Sequence, residues 1–159
     1  MTKIVESVRA QLADEWIPTL YKEKVRSQRT RSFRLDVPPK ENQAEIIHTL
    51  LGIELKVGNR RYSSPDLPTA RYLRVFARIG CSEFAVPYDI TKISAIADLL
   101  ETAWQHIVLV LDKEIRGLDP STGGRTRSAL LRQIRSELDE VGPGDAMPAF
   151  DRKTKQSKQ

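Results

Sequence analysis

The feature that most constrains this chain is a long amphipathic pattern between Thr91 and Arg116. Apolar side chains recur there at steps of three and four residues, which is the spacing of one face of an α-helix. Gly117 follows as a left-handed C-cap, so the pattern predicts one uninterrupted helix. Such a helix, with a tryptophan in its apolar face, must dock on other elements. The face consists of Ile93, Ile96, Ala97, Leu100, Ala103, Trp104, Ile107, Leu111 and Ile115.

The rest of the chain predicts an α+β domain, in which a small mixed sheet of about four short strands packs against several helices. Strands are expected at 31–37, 53–57, 60–63 and 82–88, and Gly58-Asn59 is expected to join the middle two as a hairpin turn. Helices are expected at 3–27 with a break at Pro18, at 39–51 with Gly52 as C-cap, and at 65–80 with Ser64 as N-cap.

The segment after Gly117 predicts a separate C-terminal element. Residues 118–124 contain several turn-forming residues and predict a linker. Residues 127–141 follow as an amphipathic helix, which is expected either to fold back on its own domain or, as we favour, to form a homodimer. The expected organisation is a core domain at 1–117, a linker and helix at 118–141, and a disordered basic tail at 142–159. The apolar face of the helix consists of Leu130, Leu131, Ile134, Leu138 and Val141.

The charge of the chain favours an acidic partner. The sequence has 26 lysines and arginines against 21 aspartates and glutamates, a formal net charge of +5. Nucleic acid, a membrane surface and an acidic protein all suit such a charge. The chain lacks an apolar run near the roughly 20 residues that span a bilayer, so no membrane-spanning segment is expected, and of the three partners nucleic acid is favoured and no membrane partner is predicted. The single cysteine, Cys81, excludes an internal disulfide and fits a cytoplasmic location.

Two groups of cations are candidates for binding the phosphates of DNA or RNA. The first is a dense run, called here the basic stretch: Lys22, Lys24, Arg26, Arg29, Arg31 and Arg34. The second, called the arginine face, is Arg71, Arg74 and Arg78, which lie on one side of a predicted helix; Arg60 and Arg61 could extend it. The alternatives are a solvated surface for the first group and neutralisation by neighbouring acidic residues for the second. Tyr62 and Tyr72 could stack on bases, although packing roles are favoured for both.

A further pattern suggests an enzyme. Glu54 and Lys56 are two residues apart on a predicted strand and therefore share a face. Together with Asp36 and the apolar strand at 83–87, this arrangement resembles the PD-(D/E)XK nuclease superfamily. The resemblance implies an Mg²⁺-dependent nuclease in which Asp36 and Glu54 bind the metal and Lys56 assists catalysis. The simpler alternative is an alternating-charge face of a hairpin, and without the nuclease no cofactor is expected. A third possibility is a non-catalytic assembly subunit that docks through residues 127–141.

Overall fold

The computed structural model describes residues 3–144 and confirms the α+β class. The helices are α1 (Lys3–Leu12), α2 (Ile17–Leu20), α3 (Leu67–Ile79), α4 (Ile90–Ile115) and α5 (Pro120–Val141). The strands are β1 (Thr30–Arg34), β2 (Ala44–Thr49), β3 (Gly52–Val57), β4 (Arg60–Ser64) and β5 (Glu83–Pro87). They form two small antiparallel sheets, one of β1 and β5 and one in the order β2–β3–β4.

The first helical region is interrupted just before Pro18. α1 ends at Leu12, and a short 3-10 turn begins at Ala13, whose φ of 49° is left-handed. Helical structure resumes at Ile17, with Pro18 in the first turn of α2, where its missing N–H costs no hydrogen bond. A π-helical segment, Tyr21–Val25, continues α2. The expected break is therefore present, and Pro18 follows it.

The predicted helix at 39–51 is wrong, because this segment contains β2. β2 pairs with β3, and Ile46 lies opposite the fully buried Leu55. Leu50 and Leu51, which completed the apparent helical spacing, are fully exposed in the loop between the two strands. Pairing with a neighbouring strand, and not burial of a helix face, therefore decides the conformation here. The predicted β3–β4 hairpin is confirmed.

α3 and α4 pack against each other through the centre of the molecule. The predicted N-cap of α3 is wrong: Asp66, and not Ser64, caps it by accepting a hydrogen bond from the Thr69 N–H at 2.8 Å. The predicted C-cap is confirmed, because Gly80 has the left-handed φ of 85°. Phe76 of α3 stacks on Phe84 of β5 with ring centroids 4.2 Å apart, which joins the helix pair to the β1–β5 sheet.

The long helix predicted at 91–116 is confirmed as α4. Its apolar face is buried against α3 and α1, with Trp104 8% exposed and Ile107 1% exposed. α4 also has the length and apolar composition of a membrane-spanning helix, a property that core helices of soluble proteins share. A location in the cytoplasm and the lack of a membrane partner stay predictions.

The predicted linker at 118–124 is wrong, because α5 already begins at Pro120. Asp119 caps it by accepting a hydrogen bond from the Thr122 N–H at 3.2 Å. Leu131 and Ile134 of its apolar face are buried in the core of the same chain, and the Trp16 Nε1–H donates to Glu137 of α5 at 2.9 Å. A homodimer through residues 127–141 stays a prediction, and it would have to use the outer side of α5. The tail predicted at 142–159 lies outside the described residues beyond Gly144.

Two buried tyrosines support the β1–β5 sheet from its β5 edge. The Ala85 N–H donates to the Tyr21 hydroxyl at 2.8 Å, and the Tyr72 hydroxyl donates to the Ala85 carbonyl at 2.5 Å. The Tyr21 hydroxyl also donates to the Gly142 carbonyl at 2.6 Å, just after α5. Burial raises the pKa of Tyr21 to about 12 and raises that of Tyr72 well above its ordinary value. β1, which carries part of the basic stretch, is therefore attached to a fixed support.

Candidate nucleic-acid interface

The basic stretch runs along the surface from the π-helical segment to β1. Tyr21 and Val25 face the core, which leaves the intervening Lys22 and Lys24 exposed to solvent. The loop that follows carries the exposed Arg29. β1 then adds a half-buried and an exposed arginine at positions 31 and 34. The cations predicted from the sequence are therefore at the surface and follow one another along it.

Three of these arginines are held by contacts that leave their charge intact. The Arg26 Nη1 donates to the Thr30 hydroxyl at 2.6 Å. The Arg29 guanidinium carbon lies 5.1 Å from the centre of the Tyr88 ring, and that of Arg31 lies 5.5 Å from the centre of the Phe33 ring. Aromatic rings attract a cation without neutralising it.

Exposed carboxylates lie near the basic stretch, Glu23 within it and Glu140 beside Lys22 and Arg26, but few ion pairs form with it among residues 3–144. Within residues 3–144, no carboxylate oxygen lies within 4.0 Å of a side-chain nitrogen of its first five cations. The sixth, Arg34, reaches Glu83 at 3.9 Å and is 81% exposed. An exposed pair at that distance contributes little and leaves the arginine free to move. The positive charge of the basic stretch is therefore available to a ligand.

The arginine face is different, because carboxylates of α4 occupy it. Glu101 accepts hydrogen bonds from the Arg71 Nε at 3.1 Å, the Arg71 Nη2 at 2.6 Å and the Arg74 Nη2 at 2.7 Å. Arg71 also pairs with Asp98. Burial alone would raise the pKa of Glu101, but the hydrogen bonds from the two arginines outweigh it and hold that pKa below its ordinary value. The hydrogen bonds to Glu101, and then the one to Asp98, raise the pKa of Arg71.

The remaining member of the arginine face is turned inwards. Arg78 is half-buried and donates to the Ala44 carbonyl at 3.4 Å. Burial, and then the nearby charge of Arg74, lower its pKa. The shared face predicted from the spacing is thus present, and the geometry matches the alternative in which neighbouring acidic residues neutralise it. These arginines chiefly join α3 to α4 and to β2.

Arg60 and Arg61 are also paired, each with one of the predicted metal ligands. Arg60 contacts Asp36, and the Arg61 Nη1 lies 3.2 Å from the Glu54 Oε1. Adjacent residues of a strand point to opposite faces of the sheet. Asp36, which contacts Arg60, therefore lies on the opposite face of the sheet from Glu54, which contacts Arg61. Lys56 pairs directly with Arg61 across the strands and lies on the same face as Glu54.

The structure consequently does not bring the three predicted nuclease residues together. Glu54 and Lys56 share a face, as expected from their spacing, but Asp36 is separated from them by the sheet. Among residues 3–144 there is no group of three or more His, Cys, Asp or Glu side chains placed to hold a metal ion. The observed geometry is that of a hairpin with alternating charges, and the Mg²⁺-dependent activity stays a prediction.

The predicted aromatic contacts also change in the structure. Tyr72 is fully buried and cannot stack on a base, while Tyr62 is half-buried and donates its hydroxyl to the Asp36 carbonyl. The aromatic residues beside the basic stretch are Phe33 and Tyr88, which the sequence reasoning did not select. Recognising Tyr88 would have required knowing that β5 pairs with β1 and thereby places the residue after β5 beside Arg29.

Comparison with known proteins gives no relative. No protein-family model, no curated protein and no solved structure matches the chain. The comparisons therefore neither support nor contradict the resemblance to the nuclease superfamily. The function has to be argued from the charges and contacts described above.

Proposed function

We propose that this protein associates with nucleic acid by contacting backbone phosphates with the basic stretch. The observation that carries the proposal is the run of cations at the surface, whose first five members have no carboxylate oxygen within 4.0 Å among residues 3–144. Each cation that neutralises a phosphate releases condensed counterions, and this release drives binding at low salt. The proposal places binding in this run and gives Arg71 and Arg74 no direct part, because Glu101 already accepts their hydrogen bonds.

The arrangement suits contact with phosphates better than reading of bases. Guanidinium groups bind phosphate oxygens in a planar, often bidentate geometry, and the aromatic rings beneath Arg29 and Arg31 limit their freedom before binding. Phosphate contacts position a protein on nucleic acid without carrying sequence information. The proposed binding is therefore independent of sequence and applies to DNA and RNA.

The proposal is tested by measuring affinity against salt concentration for two variants that each lose three positive charges. K22Q/K24Q/R29Q removes exposed members of the basic stretch. K92Q/K113Q/R116Q removes exposed cations of α4 and its end, which also lack a carboxylate within 4.0 Å among residues 3–144. Fluorescence anisotropy with a short DNA duplex and an RNA duplex gives the slope of log affinity against log salt.

The first variant should lose up to about 0.9 of slope on B-DNA for every phosphate contact removed, while the second keeps the wild-type slope. An equal loss in both variants would show that net charge alone drives binding, and the proposal would fail. Absence of binding by the wild type at low salt would also overturn it.

A further inference from the structure

A cationic pocket of about 290 Å³ lies between α5 and the loop that precedes β2. Among residues 3–144, four positively charged side chains and one carboxylate line it. None of these residues belongs to the basic stretch or to the arginine face. Its polar lining includes Lys40, Glu41, Arg127, Ser128, Arg132 and Arg135.

The loop side of the pocket is fixed in place by its contacts with α3. The Asn42 Nδ2 lies 2.9 Å from the Lys40 carbonyl and 3.0 Å from the Ala77 carbonyl. Lys40 approaches Gly80 so closely that a Cβ on Gly80 would lie 2.2 Å from the Lys40 carbonyl oxygen. Only glycine permits this approach, and its φ of 85° also favours glycine. The wall that carries Lys40 is therefore built before any ligand arrives.

The single carboxylate of the pocket is already satisfied. Glu41 accepts hydrogen bonds from the Arg127 Nε at 2.5 Å and from the Arg127 Nη2 at 2.7 Å. The remaining Nη1 of Arg127 lies 3.2 Å from Asp112. This bidentate pair engages both oxygens of Glu41 and offsets the charge of that carboxylate with the charge of Arg127.

The other three cations lack such a partner. No carboxylate oxygen in residues 3–144 lies within 4.0 Å of the side-chain nitrogens of Lys40, Arg132 or Arg135. The Arg135 Nη1 donates to the Ile79 carbonyl at 2.8 Å, which fixes the guanidinium beside the end of α3. Burial, and then the neighbouring charge of Arg132, lower the pKa of Arg135. Like charges held together in a recess are stabilised when an anion binds between them.

We infer that this pocket binds a phosphoryl group, presented as a phosphate monoester. A monoester carries close to two negative charges near neutral pH and three acceptor oxygens. The arginine and lysine donors and the Ser128 hydroxyl match those oxygens, and the volume suits a small ligand. A ligand with a single carboxylate group would bring only one negative charge to the three cations Lys40, Arg132 and Arg135. The inference uses none of the residues of the proposed nucleic-acid interface, so the two stand or fall separately.

The test is a titration of the full chain with inorganic phosphate at constant ionic strength, followed by NMR of the backbone amides. The variant K40Q/R132Q removes two exposed charges from the pocket and leaves the Arg135 and Arg127 contacts intact. The control R116Q/R125Q removes two exposed charges near the start of α5. Saturable shifts confined to the amides of residues 40–42 and 127–135 are expected, with affinity lowered about tenfold or more in K40Q/R132Q and unchanged in the control.

Shifts that do not saturate would overturn the inference, and so would equal weakening in the two variants. Once phosphate binding is shown, a mononucleotide and a 5′-phosphorylated oligonucleotide distinguish the source of the group. Competition with inorganic phosphate by the mononucleotide alone supports a small-molecule ligand. Competition by the oligonucleotide only when it carries its terminal phosphate supports a nucleic-acid end.

Discussion

The basic stretch and the arginine face are both local clusters of cations, but their environments differ. The basic stretch extends over the π-helical segment, a loop and β1, whereas the arginine face lies on α3. On α3, Glu101 and Asp98 of the neighbouring helix meet Arg71, and Glu101 also meets Arg74. The first five cations of the basic stretch lack any such partner among residues 3–144. The comparison teaches that a count of cations says how much charge is present, whereas tertiary contacts decide how much of it can reach a ligand.

The largest effect should come from removing the carboxylate that occupies the arginine face. Glu101→Gln replaces three charge-assisted hydrogen bonds and should lower the free energy of unfolding by about 1.5–3 kcal/mol. The released arginines should also become available to phosphate, which would steepen the salt dependence of DNA binding by up to about 0.9 per arginine. Chemical denaturation and fluorescence anisotropy measure the two effects.

The control for this variant is Asp98→Asn. The Asp98 side chain is 65% exposed, and within the described part of the chain Arg71 is its one ion-pair partner, so the expected cost is under about 1 kcal/mol. If Asp98→Asn proved as destabilising as Glu101→Gln, Glu101 would not be the main link between α3 and α4.

The effect of Glu101 should also depend on pH. The pKa of this carboxyl is lowered in the folded chain, so its stabilisation is present above the unfolded pKa, near 4.3, and is lost as the pH falls through the folded value. The difference in unfolding free energy between wild type and Glu101→Gln should be constant above about pH 5 and should shrink below about pH 4. A difference that grows on acidification would contradict the ion-pair account.

Loss of a buried hydroxyl that supports the basic stretch should lower the free energy of unfolding without changing the positive charge available to a ligand. Tyr21→Phe leaves the buried Ala85 N–H without its acceptor and should cost about 1–2 kcal/mol. The pKa of Tyr21 is raised from 10.0 to about 12, so the wild type should lose stability as the pH rises through that interval. The Tyr21→Phe variant should lose less stability over the same pH interval. At neutral pH the salt slope of DNA binding should stay at the wild-type value, and a shallower slope would show that the hydroxyl also positions the cations.

The smallest expected change concerns the paired arginines of the β3–β4 hairpin. Arg60 and Arg61 are 65% and 56% exposed but contact Asp36 and Glu54. R60Q/R61Q should therefore reduce the salt slope less than removal of two lysines from the basic stretch. Anisotropy titrations of both double variants check this ranking, and a larger loss in R60Q/R61Q would move the proposed interface to the hairpin.

Local sequence patterns were sufficient to predict the elements that depend on neighbouring residues alone. The apolar face of α4 and the Gly58-Asn59 hairpin were predicted in this way and are observed. β2 was mistaken for a helix because Leu50 and Leu51 fit a helical period, although both are exposed in a loop. The start of α5 was mistaken for a linker because Gly123 and Gly124 suggested a turn, whereas Asp119 and Pro120 set the helix start.

The candidate site was harder to predict than the fold, because it depends on partners distant in sequence. The spacing predicted correctly that the three arginines of α3 share a side. Nothing near Arg71 in the sequence indicated that Glu101, thirty residues later, would accept its hydrogen bonds. The same applies to the separation of Asp36 from Glu54, which follows from their contacts with Arg60 and Arg61 on opposite faces of β4.

The most direct test of the account compares two double variants with equal loss of charge. K22Q/K24Q removes cations of the basic stretch, and R71Q/R74Q removes the pair held by Glu101. Log affinity for a DNA duplex is measured against log salt at a temperature where circular dichroism shows both variants folded. The account predicts a slope shallower by up to about 0.9 per lysine in K22Q/K24Q and the wild-type slope in R71Q/R74Q. A slope that is unchanged in K22Q/K24Q and shallower in R71Q/R74Q would contradict it.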